Sequence, residues 1–538
     1  MGTVLLGGMS IWLGFPNDLM DIPMLVFLWP CTLVFLGLHA SNYKHAFLLG
    51  WLSSITGTAI ALYWLALPMH LVGGVPWFGA ALCGLFVASC IATMGGFFCL
   101  STYHTRHLPS WSQSILLALT WAFLEITYAI IAGFPWLPLA GALATSPPLF
   151  QLADIVGAHG VAALWLGAIF PIFFALPGIK QKGFAKANCY VGLSLVVLML
   201  FYGFLKLEDR IAMTSDNITA DTFPILFVEG NIDQAQKWLP EFQRSTVAHY
   251  LRLSNDGLAR YKEELRTQRP LVIWPETALP YFFGQKDSLD AKILEFSKQH
   301  GVSLLFGSPA ENGQSFLLKD PPVYNRAWLI NGKGTLCGFY DKEHLVPFGE
   351  YVPKAFNLSF LSGLLQEVGM YTPGEITSPL RDGKLSLGML ICYEGIFPWL
   401  AQKRVADGAN ILVDISNDGW FLKTPAARQH LYLTALRAVE QGRYILRGTN
   451  TGISAVIDNR GCIVWHGGQF QSAAHLAWAE TREELTFYHR MWPWIATCGL
   501  LLVVALFAFS RKAKRTLHGT NITSCGLTSS LSQPAATL

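Results

Sequence analysis

Three side chains of different chemistry, the carboxyl of Glu276, the ammonium of Lys342 and the thiol of Cys392, each follow a short apolar run that is typical of a buried strand. Strands of one sheet end side by side, so the three groups can meet at one edge of a sheet although they are far apart in the sequence. A thiol, a carboxylate and an ammonium in contact supply a nucleophile, its general base and a cation for an oxyanion. The pattern therefore predicts covalent catalysis at a cysteine.

Further polar residues surround these three. Tyr393 and Glu394 follow Cys392 at the end of its strand, where free backbone N–H groups can bind an anion and a nearby helix end is expected to lower the pKa of the thiol. Glu350 lies in an apolar, proline-containing loop after Lys342 and could orient that lysine. Taken singly, such a cysteine is a core residue and a loop glutamate or lysine is a surface charge, so the prediction depends on their occurring together.

The charge distribution divides the chain into two parts. The chain has 538 residues, of which 38 are basic and 35 are acidic. Only six of the basic and four of the acidic residues lie before position 207. This is typical of a membrane region followed by a water-exposed domain.

The net charge of +3, without a basic stripe, does not indicate a nucleic-acid partner. The ten cysteines form no CxxC pair or His/Cys cluster, so we predict no disulfide framework, no metal site and no cofactor.

Apolar runs long enough to cross a bilayer define the membrane region. They lie near 22–40, 46–67, 76–99, 115–135, 160–177, 189–205 and 491–510, and we interpret the shorter run 2–15 as a further span. With a cytoplasmic N-terminus, every connection that contains Lys or Arg lies on the cytoplasmic side, whereas the connections near 15–21, 68–76 and 135–160 contain none. We therefore predict seven spans before the polar domain and one after it, with the domain facing away from the cytoplasm.

This topology gives four parts: membrane helices at 1–206, a catalytic domain at 207–488, a C-terminal span at 489–510 and a tail at 511–538 that we expect to be disordered. In the catalytic domain, strands are predicted at 223–228, 271–274, 303–307, 327–330, 385–392, 410–414 and 454–457. Helices are predicted at 241–266, 289–300, 396–405 and 428–441. Strands and helices in alternation indicate a layered α/β domain.

Several motifs resemble one protein family. Trp274-Pro275-Glu276, Lys342 and Cys392-Tyr393-Glu394, in this order, are similar to the carbon–nitrogen hydrolase (nitrilase) superfamily. Together with the membrane region, they resemble its membrane branch, the bacterial apolipoprotein N-acyltransferases. Other matching segments are 229–232, Lys237-Trp238, 344–353, 416–421, 436–440, 447–455 and, in the membrane region, 133–137. The resemblance extends from about residue 10 to residue 510.

The resemblance implies a fold and a set of roles. The fold would be a nitrilase-like αββα sandwich inserted between the membrane helices. Cys392 would be the nucleophile, Glu276 the general base and Lys342 the oxyanion partner. Supporting positions of the family fall on Trp238, Glu350, Tyr393, Glu394 and, on the membrane side, Trp136. Two positions, Glu343 and Tyr128, differ from the family pattern, since a basic or neutral residue and an arginine are expected there.

The activity that this resemblance implies is acyl transfer through a thioester on Cys392. The donor would be a membrane phospholipid and the acceptor the α-amino group of a diacylglyceryl-cysteine at the N-terminus of an apolipoprotein. The protein would be a monomer in the bacterial inner membrane with its catalytic domain in the periplasm, and residues 358–365 could form an amphipathic lid.

Two other classes of function remain open at this stage. A membrane-tethered amide hydrolase would use the same three residues on a small amide. A transporter or a lipid-binding scaffold is disfavoured, because the spans contain few ionisable groups and no paired repeats, and because a scaffold needs no catalytic residues.

Overall fold

The computed structural model describes residues 1–71, 73–179, 185–208, 221–311, 321–352, 371–375 and 378–526. Up to residue 208 the described chain is helical. Its helices are α1 (Gly2–Gly14), α2 (Leu28–His39), α3 (Tyr43–Ala61), α4 (Ala66–Leu71), α5 (Trp77–Thr105), α6 (Ser110–Ala132), α7 (Leu139–Leu143), α8 (Ala153–Ala175) and α9 (Ala185–Glu208). The predicted lid at 358–365 lies outside the described residues.

Four of these helices, α5, α6, α8 and α9, are long and apolar enough to cross a membrane. The bent pair Tyr43–Ala61 and Tyr63–Leu71, with an angle of 60° between its halves, would make a fifth span among the described residues. Gly2–Gly14 and Pro23–His39 are apolar but shorter. The structure therefore supports a membrane region, while the count of seven spans plus one stays a prediction.

Small residues allow the membrane helices to approach closely. A Cβ atom on Gly50 of α3 would lie 2.4 Å from the carbonyl oxygen of Gly95 on α5, so neither helix tolerates a larger side chain at this crossing. Close backbone contact through small residues is a common way to pack helices in lipid, where burial of apolar surface contributes little.

The polar domain contains two six-stranded sheets. The first has the order β12-β1-β2-β3-β4-β5, formed by β1 (Thr222–Glu229), β2 (Leu271–Ile273), β3 (Ser303–Glu311), β4 (Val323–Ile330), β5 (Leu336–Asp341) and β12 (Ala473–Glu480). The second has the order β11-β10-β9-β8-β7-β6, formed by β6 (Leu380–Asp382), β7 (Leu385–Ile391), β8 (Ile411–Ser416), β9 (Ile445–Thr449), β10 (Ala455–Ile457) and β11 (Ile463–His466). The central strands β1–β3 and β7–β9 are parallel.

Because side chains alternate between the two faces of each sheet, each sheet packs on the other sheet with one face and on helices with the opposite face. Phe227 and Ile273 of the first sheet and Met389 and Val413 of the second belong to one core between the sheets. The opposite face of the first sheet is covered by α11 (Gln243–Arg260) and α12 (Asp287–His300), and that of the second by α13 (Pro398–Ala406) and α14 (Ala426–Gln441). The domain is thus a four-layer nitrilase-like α/β sandwich, as the resemblance implied.

Helix α14 also packs on the membrane region. Its Leu433 and Leu436 share one continuous hydrophobic core with Leu139 of α7 and Trp165 of α8. The side chain of Glu440 accepts a hydrogen bond of 2.8 Å from the backbone N–H of Ala158, at a break in helix α8. A short α10 (Gln234–Lys237) precedes α11, and α15 (Phe487–Gly526), which contains the predicted span 491–510, follows the domain. The catalytic domain is therefore fixed to the membrane helices through α14.

The predicted elements differ from the observed ones mainly at the ends. The helix predicted at 241–266 ends at Arg260, and the strand predicted at 385–392 ends at Ile391. Strands β6, β9, β11 and β12 were not predicted, and β5 was predicted only as the apolar run before Lys342. β9 contains Arg447 and Gly448, and β12 is rich in alanine, so neither has the β-branched, apolar composition that identifies a strand in sequence.

Candidate active site

Cys392 lies at a sharp turn between a strand and a helical turn. Strand β7 ends at Ile391, and a 3₁₀ turn begins at Cys392 and continues to Ile396. The backbone of Cys392 is left-handed, with φ of 54°, which is unfavourable for a residue other than glycine. Strained backbone of this kind persists only where its surroundings hold it, and it is often found at active sites. The turn places a half-buried thiol at the end of a strand of the second sheet. Glu276 and Lys342 follow strands of the first sheet, so the prediction that all three groups meet at the edge of one sheet is wrong.

Lys342, which follows β5, is in contact with two carboxylates. Its Nζ lies 2.8 Å from Oε1 of Glu350 and 3.4 Å from Oε1 of Glu276. The Nδ2 of Asn325, on β4, donates to both carboxylates, at 2.7 Å to Glu276 and 3.1 Å to Glu350. Because the side chain of Lys342 is only 1% exposed, these contacts are made away from bulk water. The predicted orientation of Lys342 by Glu350 is present in the structure.

The pKa values of these groups are coupled through burial and charge. Burial alone would lower the pKa of Lys342, but the carboxylates of Glu350 and Glu276 outweigh it and raise this pKa well above its ordinary value. Burial raises the pKa of Glu276, and Lys342 opposes this effect. A carboxylate with a raised pKa is a stronger base than an ordinary one, which suits Glu276 to the predicted role of general base.

The expected lowering of the Cys392 pKa is wrong. Burial raises this pKa well above the ordinary value, the Glu276 carboxylate raises it further, and Lys342 only partly opposes them. The resting group is therefore a thiol, and a nearby base must remove its proton before it can attack. Lys342 contacts Glu276 directly, while a catalytic set formed by these two residues and Cys392 stays a prediction.

Glu394 connects the two segments that contain Lys342 and Cys392. It is fully buried, and its carboxylate accepts hydrogen bonds from the backbone N–H groups of Glu343 (2.8 Å), His344 (2.9 Å) and Ile391 (2.7 Å). It also accepts from the hydroxyl of Tyr340, at 2.8 Å. One carboxylate thus fixes the residues next to Lys342 and the residue before Cys392, which gives Glu394 a positioning role.

The membrane region contributes one wall of the site. The hydroxyl of Tyr393 donates to the carbonyl oxygen of Gly133, in the segment between α6 and α7. In the same segment, Trp136 is buried and its Nε1 donates to Oε1 of Gln429 at 2.7 Å. Phe134 stacks on the rings of both Trp136 and Tyr393, with centroid distances of 5.4 and 6.3 Å. Tyr393, the residue after Cys392, therefore contacts the membrane region directly.

Trp238 is placed differently from the other supporting residues. It is 43% exposed, whereas its neighbour Lys237 is completely buried. Lys237 Nζ donates to Oγ1 of Thr277 at 2.7 Å, one residue after Glu276. Burial lowers the pKa of Lys237 to about 7, and the Glu276 carboxylate opposes this shift. The structure therefore brings Lys237, rather than Trp238, into contact with the segment of the predicted base.

Comparison with known proteins agrees with both parts of this architecture. Residues 7–170 match the family model for the apolipoprotein N-acyltransferase N-terminal domain, and residues 249–483 match that for carbon-nitrogen hydrolase. An apolipoprotein N-acyltransferase of Geobacter metallireducens is 33% identical over 479 residues, 87% of this chain and 88% of the relative. The chain belongs to the apolipoprotein N-acyltransferase family.

Other members of the family and a solved structure are also similar. The apolipoprotein N-acyltransferase of Bdellovibrio bacteriovorus is 28% identical over 520 residues, 91% of each chain. The crystal structure of a carbon-nitrogen hydrolase from Helicobacter pylori covers 51% of this chain and 94% of its own, with 16% identity and a TM-score of 0.37. The match to members of the family therefore includes the membrane helices as well as the catalytic domain.

Asn325 and His430 were not identified from the sequence. Asn325 bridges Glu276 and Glu350, and His430 Nε2 lies 3.1 Å from the carbonyl oxygen of Cys392. Neither belongs to a motif that was matched to the family. Each has a polar neighbour in its own element, Arg326 in β4 and Gln429 in α14, so no local signal distinguished it before the fold placed it beside the site.

Cys392, Asp418 and His430 resemble a metal site by residue type, since their ligand atoms lie within 4.8 Å of one another. However, Asp418 accepts hydrogen bonds from Arg447 and from the hydroxyl of Ser416. Burial alone would raise the pKa of Asp418, but Arg447 and His430 outweigh it and lower this pKa. A guanidinium already occupies the cation position beside the carboxylate, so the arrangement does not fit a metal ion.

The two positions that differ from the family pattern have structural partners. Glu343 forms ion pairs with Lys403 at 2.7 Å and with the buried Arg404 at 3.0 Å. Tyr128 lies on α6 and packs against the hydrophobic core shared by the membrane helices and α14. Neither residue makes a hydrogen bond to Glu276, Lys342 or Cys392 among the bonds of the described residues.

Proposed function

We propose that this protein transfers a fatty acyl chain from a membrane phospholipid to the free α-amino group of the N-terminal diacylglyceryl-cysteine of an apolipoprotein. The observation that carries the proposal is the site itself. The ammonium of Lys342 contacts the carboxylate of Glu276 in a carbon–nitrogen hydrolase domain, and Tyr393, the residue after Cys392, is hydrogen-bonded to the membrane region. The family relationship over most of the chain supports the same function.

In the first step, the carboxylate of Glu276 accepts the proton of the Cys392 thiol, and the thiolate attacks an ester carbonyl of the phospholipid. The resulting tetrahedral oxyanion is stabilised by the ammonium of Lys342 and by the backbone N–H of Tyr393. Loss of one such donor typically costs about 10²–10³ in rate. The C–O bond to the glycerol then breaks, the lysophospholipid leaves with the proton from Glu276, and the acyl chain remains as a thioester.

In the second step, the amine of the diacylglyceryl-cysteine attacks the thioester carbonyl and gives its proton to Glu276. The C–S bond breaks, the amide leaves, and Cys392 regains its proton. A covalent relay of this kind lets two large lipid substrates use one site in turn. The burial of Lys342 and Glu276 limits water at the reacting carbon, which favours the amine over hydrolysis.

The remaining site residues support these groups. Glu350 and Asn325 hold Lys342 and Glu276, and Glu394 fixes the turn that presents Cys392. Trp136 packs behind the nucleophile on the membrane side, whereas the exposed Trp238 is available for contact with a substrate.

We further propose the topology predicted from the loops: seven spans in residues 1–206, a catalytic domain at 207–488 and one span at 489–510, with the tail 511–538 in the cytoplasm. The protein would act as a monomer in the bacterial inner membrane, with Cys392 on the periplasmic side. Both substrates have acyl chains in the bilayer, so an enzyme held at its surface need not extract them.

The experiment supplies purified protein with phospholipid and a synthetic diacylglyceryl-cysteine peptide, and measures N-acylated peptide and lysophospholipid by mass spectrometry. We expect equal amounts of the two products from wild type and from Cys337→Ala, and neither from Cys392→Ala. A peptide with a blocked amine is the control for the acceptor. Release of free fatty acid without N-acylated peptide, or turnover of a small amide instead, would favour the hydrolase alternative and contradict the proposal.

A further inference from the structure

His430, on α14, contacts the nucleophile through its backbone rather than through its thiol. The imidazole is buried, and its Nε2 lies 3.1 Å from the carbonyl oxygen of Cys392. On the other side of the ring, Nδ1 lies 3.2 Å from Oδ1 of Asp418 and 3.0 Å from Nη2 of Arg447. Asp418 and Arg447 are themselves paired at 2.9 Å, so the ring is held in one orientation.

The chemistry of the partners determines the direction of the key hydrogen bond. A carbonyl oxygen can only accept, so Nε2 of His430 must carry a hydrogen whenever this bond is made. This holds whether Nδ1 accepts from Arg447 in the neutral ring or donates to Asp418 in the charged one. His430 is therefore a donor to the nucleophile's own carbonyl in either protonation state.

That carbonyl belongs to Cys392, whose backbone conformation is strained. Cys392 has a left-handed backbone, with φ of 54°, and would relax to negative φ if nothing held it. The described structure holds the turn on both sides: Ile391 N–H donates to Glu394, and the Cys392 carbonyl accepts from His430. Relaxation would rotate the thiol away from Lys342 and Glu276.

The membrane region in turn fixes the helix that contains His430. The preceding residue, Gln429, accepts from Nε1 of Trp136 at 2.7 Å and from Nε1 of Trp64 at 3.2 Å. Its amide nitrogen donates to the carbonyl oxygens of Pro16, at 2.9 Å, and Ala61, at 3.3 Å. The ring of Trp136 also packs on His430, with the centroids 5.6 Å apart.

We propose that His430 is a positioning residue of the nucleophile, which holds the strained backbone of Cys392 through its carbonyl, and that Gln429 and Trp136 make this support depend on the membrane region. The proposal rests on the proposed function only in taking Cys392 as the nucleophile. It explains why the catalytic domain is bonded to the membrane helices immediately behind its reactive residue.

The test compares two polar variants of the full-length protein. The side-chain amide of glutamine in His430→Gln can place a donor where Nε2 was, whereas asparagine in His430→Asn reaches only the position of Nδ1. Asparagine therefore keeps the contact with Asp418 and Arg447 and loses the bond to Cys392. The readout is the rate of Cys392 alkylation by iodoacetamide at pH 8, measured on its peptide by mass spectrometry, with the unfolding temperature as the control for folding.

We expect His430→Asn to slow alkylation about tenfold, which corresponds to ~1.4 kcal/mol, and His430→Gln to stay near the wild-type rate, with both variants unfolding close to the wild-type temperature. Trp136→Phe keeps a ring against His430 but loses the bond to Gln429, so it should slow alkylation in the same direction. A wild-type rate in His430→Asn, or equal slowing in His430→Gln, would overturn the positioning role. A wild-type rate in Trp136→Phe would overturn the dependence on the membrane region.

Alkylation requires no lipid substrate, so this result is independent of the acyltransferase assay. A protein that transfers no acyl chain but shows the expected difference between His430→Asn and His430→Gln would contradict the proposed function and leave the positioning role intact.

Discussion

Replacement of Glu394 by glutamine should damage both stability and catalysis, because its carboxylate has only donors around it. The hydroxyl of Tyr340 and the N–H groups of Glu343, His344 and Ile391 all donate to it. In Glu394→Gln, an amide oxygen can keep the bonds to Tyr340, Glu343 and His344, but the amide nitrogen then faces the N–H of Ile391. A buried donor without a partner costs about 1–3 kcal/mol.

The lost charge adds to this cost. Hydrogen bonds to a charged acceptor are roughly twice as strong as neutral ones, so the bonds that remain also weaken. Removal of one partner from a buried charged network typically costs about 3–5 kcal/mol in total, and we expect Glu394→Gln to fall in this range. The buried Arg404, which bonds to the hydroxyl of Tyr340, would at the same time lose one of the two carboxylates that offset its charge and keep only Glu343.

The assay is thermal unfolding of the full-length protein in detergent, followed by acylation of Cys392 from phospholipid. We expect the unfolding temperature of Glu394→Gln to fall by roughly 10 °C and acylation to be lost even well below that temperature. Glu480→Gln is the matched control, because Glu480 pairs with Arg482 at 3.6 Å near the surface, where such a pair contributes about 0–1 kcal/mol. If the two variants unfold and acylate alike, the connecting role of Glu394 is wrong.

Three further outcomes follow from the site and from the loops. Because burial and Glu276 raise the pKa of Cys392, its alkylation should keep rising with pH beyond the ordinary thiol range near ~8.5; a plateau below that pH would mean a pre-formed thiolate. Glu276→Gln and Lys342→Met should each lose acyl-adduct formation, and a wild-type rate of adduct formation in Glu276→Gln would remove this residue as the first-step base. Reporter fusions after Arg515 should report the cytoplasm and fusions near Ser215 the periplasm, and a cytoplasmic signal at Ser215 would mean a miscounted span.

The sequence predicted the parts of the site that follow apolar strands. Glu276 and Lys342 were brought together correctly, since Lys342 contacts both Glu276 and Glu350. The expectation that all three residues follow strands of one sheet was wrong, because β2 and β5 belong to the first sheet whereas β7, before Cys392, belongs to the second. The layered α/β domain was predicted for the same reason, since buried parallel strands such as β8 begin with a run of apolar residues. The catalytic roles of these residues stay predictions.

What was missed depends on distant contacts. Asn325 acquires its contacts only when β4 pairs with β3 and β5 and comes near Glu276, and His430 only when α14 packs next to Cys392. The pKa of Cys392 was predicted in the wrong direction, because a helix end can be inferred from local sequence whereas the extent of burial cannot. Strand β12 escaped prediction because it pairs with β1 from the far end of the domain and is rich in alanine.

The central claim, a thioester on Cys392, can be measured directly. The intact wild-type protein is incubated with a phospholipid of one defined acyl chain and no acceptor, and its mass is compared with that of Cys392→Ala treated in the same way. We predict a single added acyl group on the wild type, absent from Cys392→Ala and removed by hydroxylamine or by an acceptor peptide with a free amine. No added mass on the wild type, or an acyl group that persists in Cys392→Ala, would contradict the account.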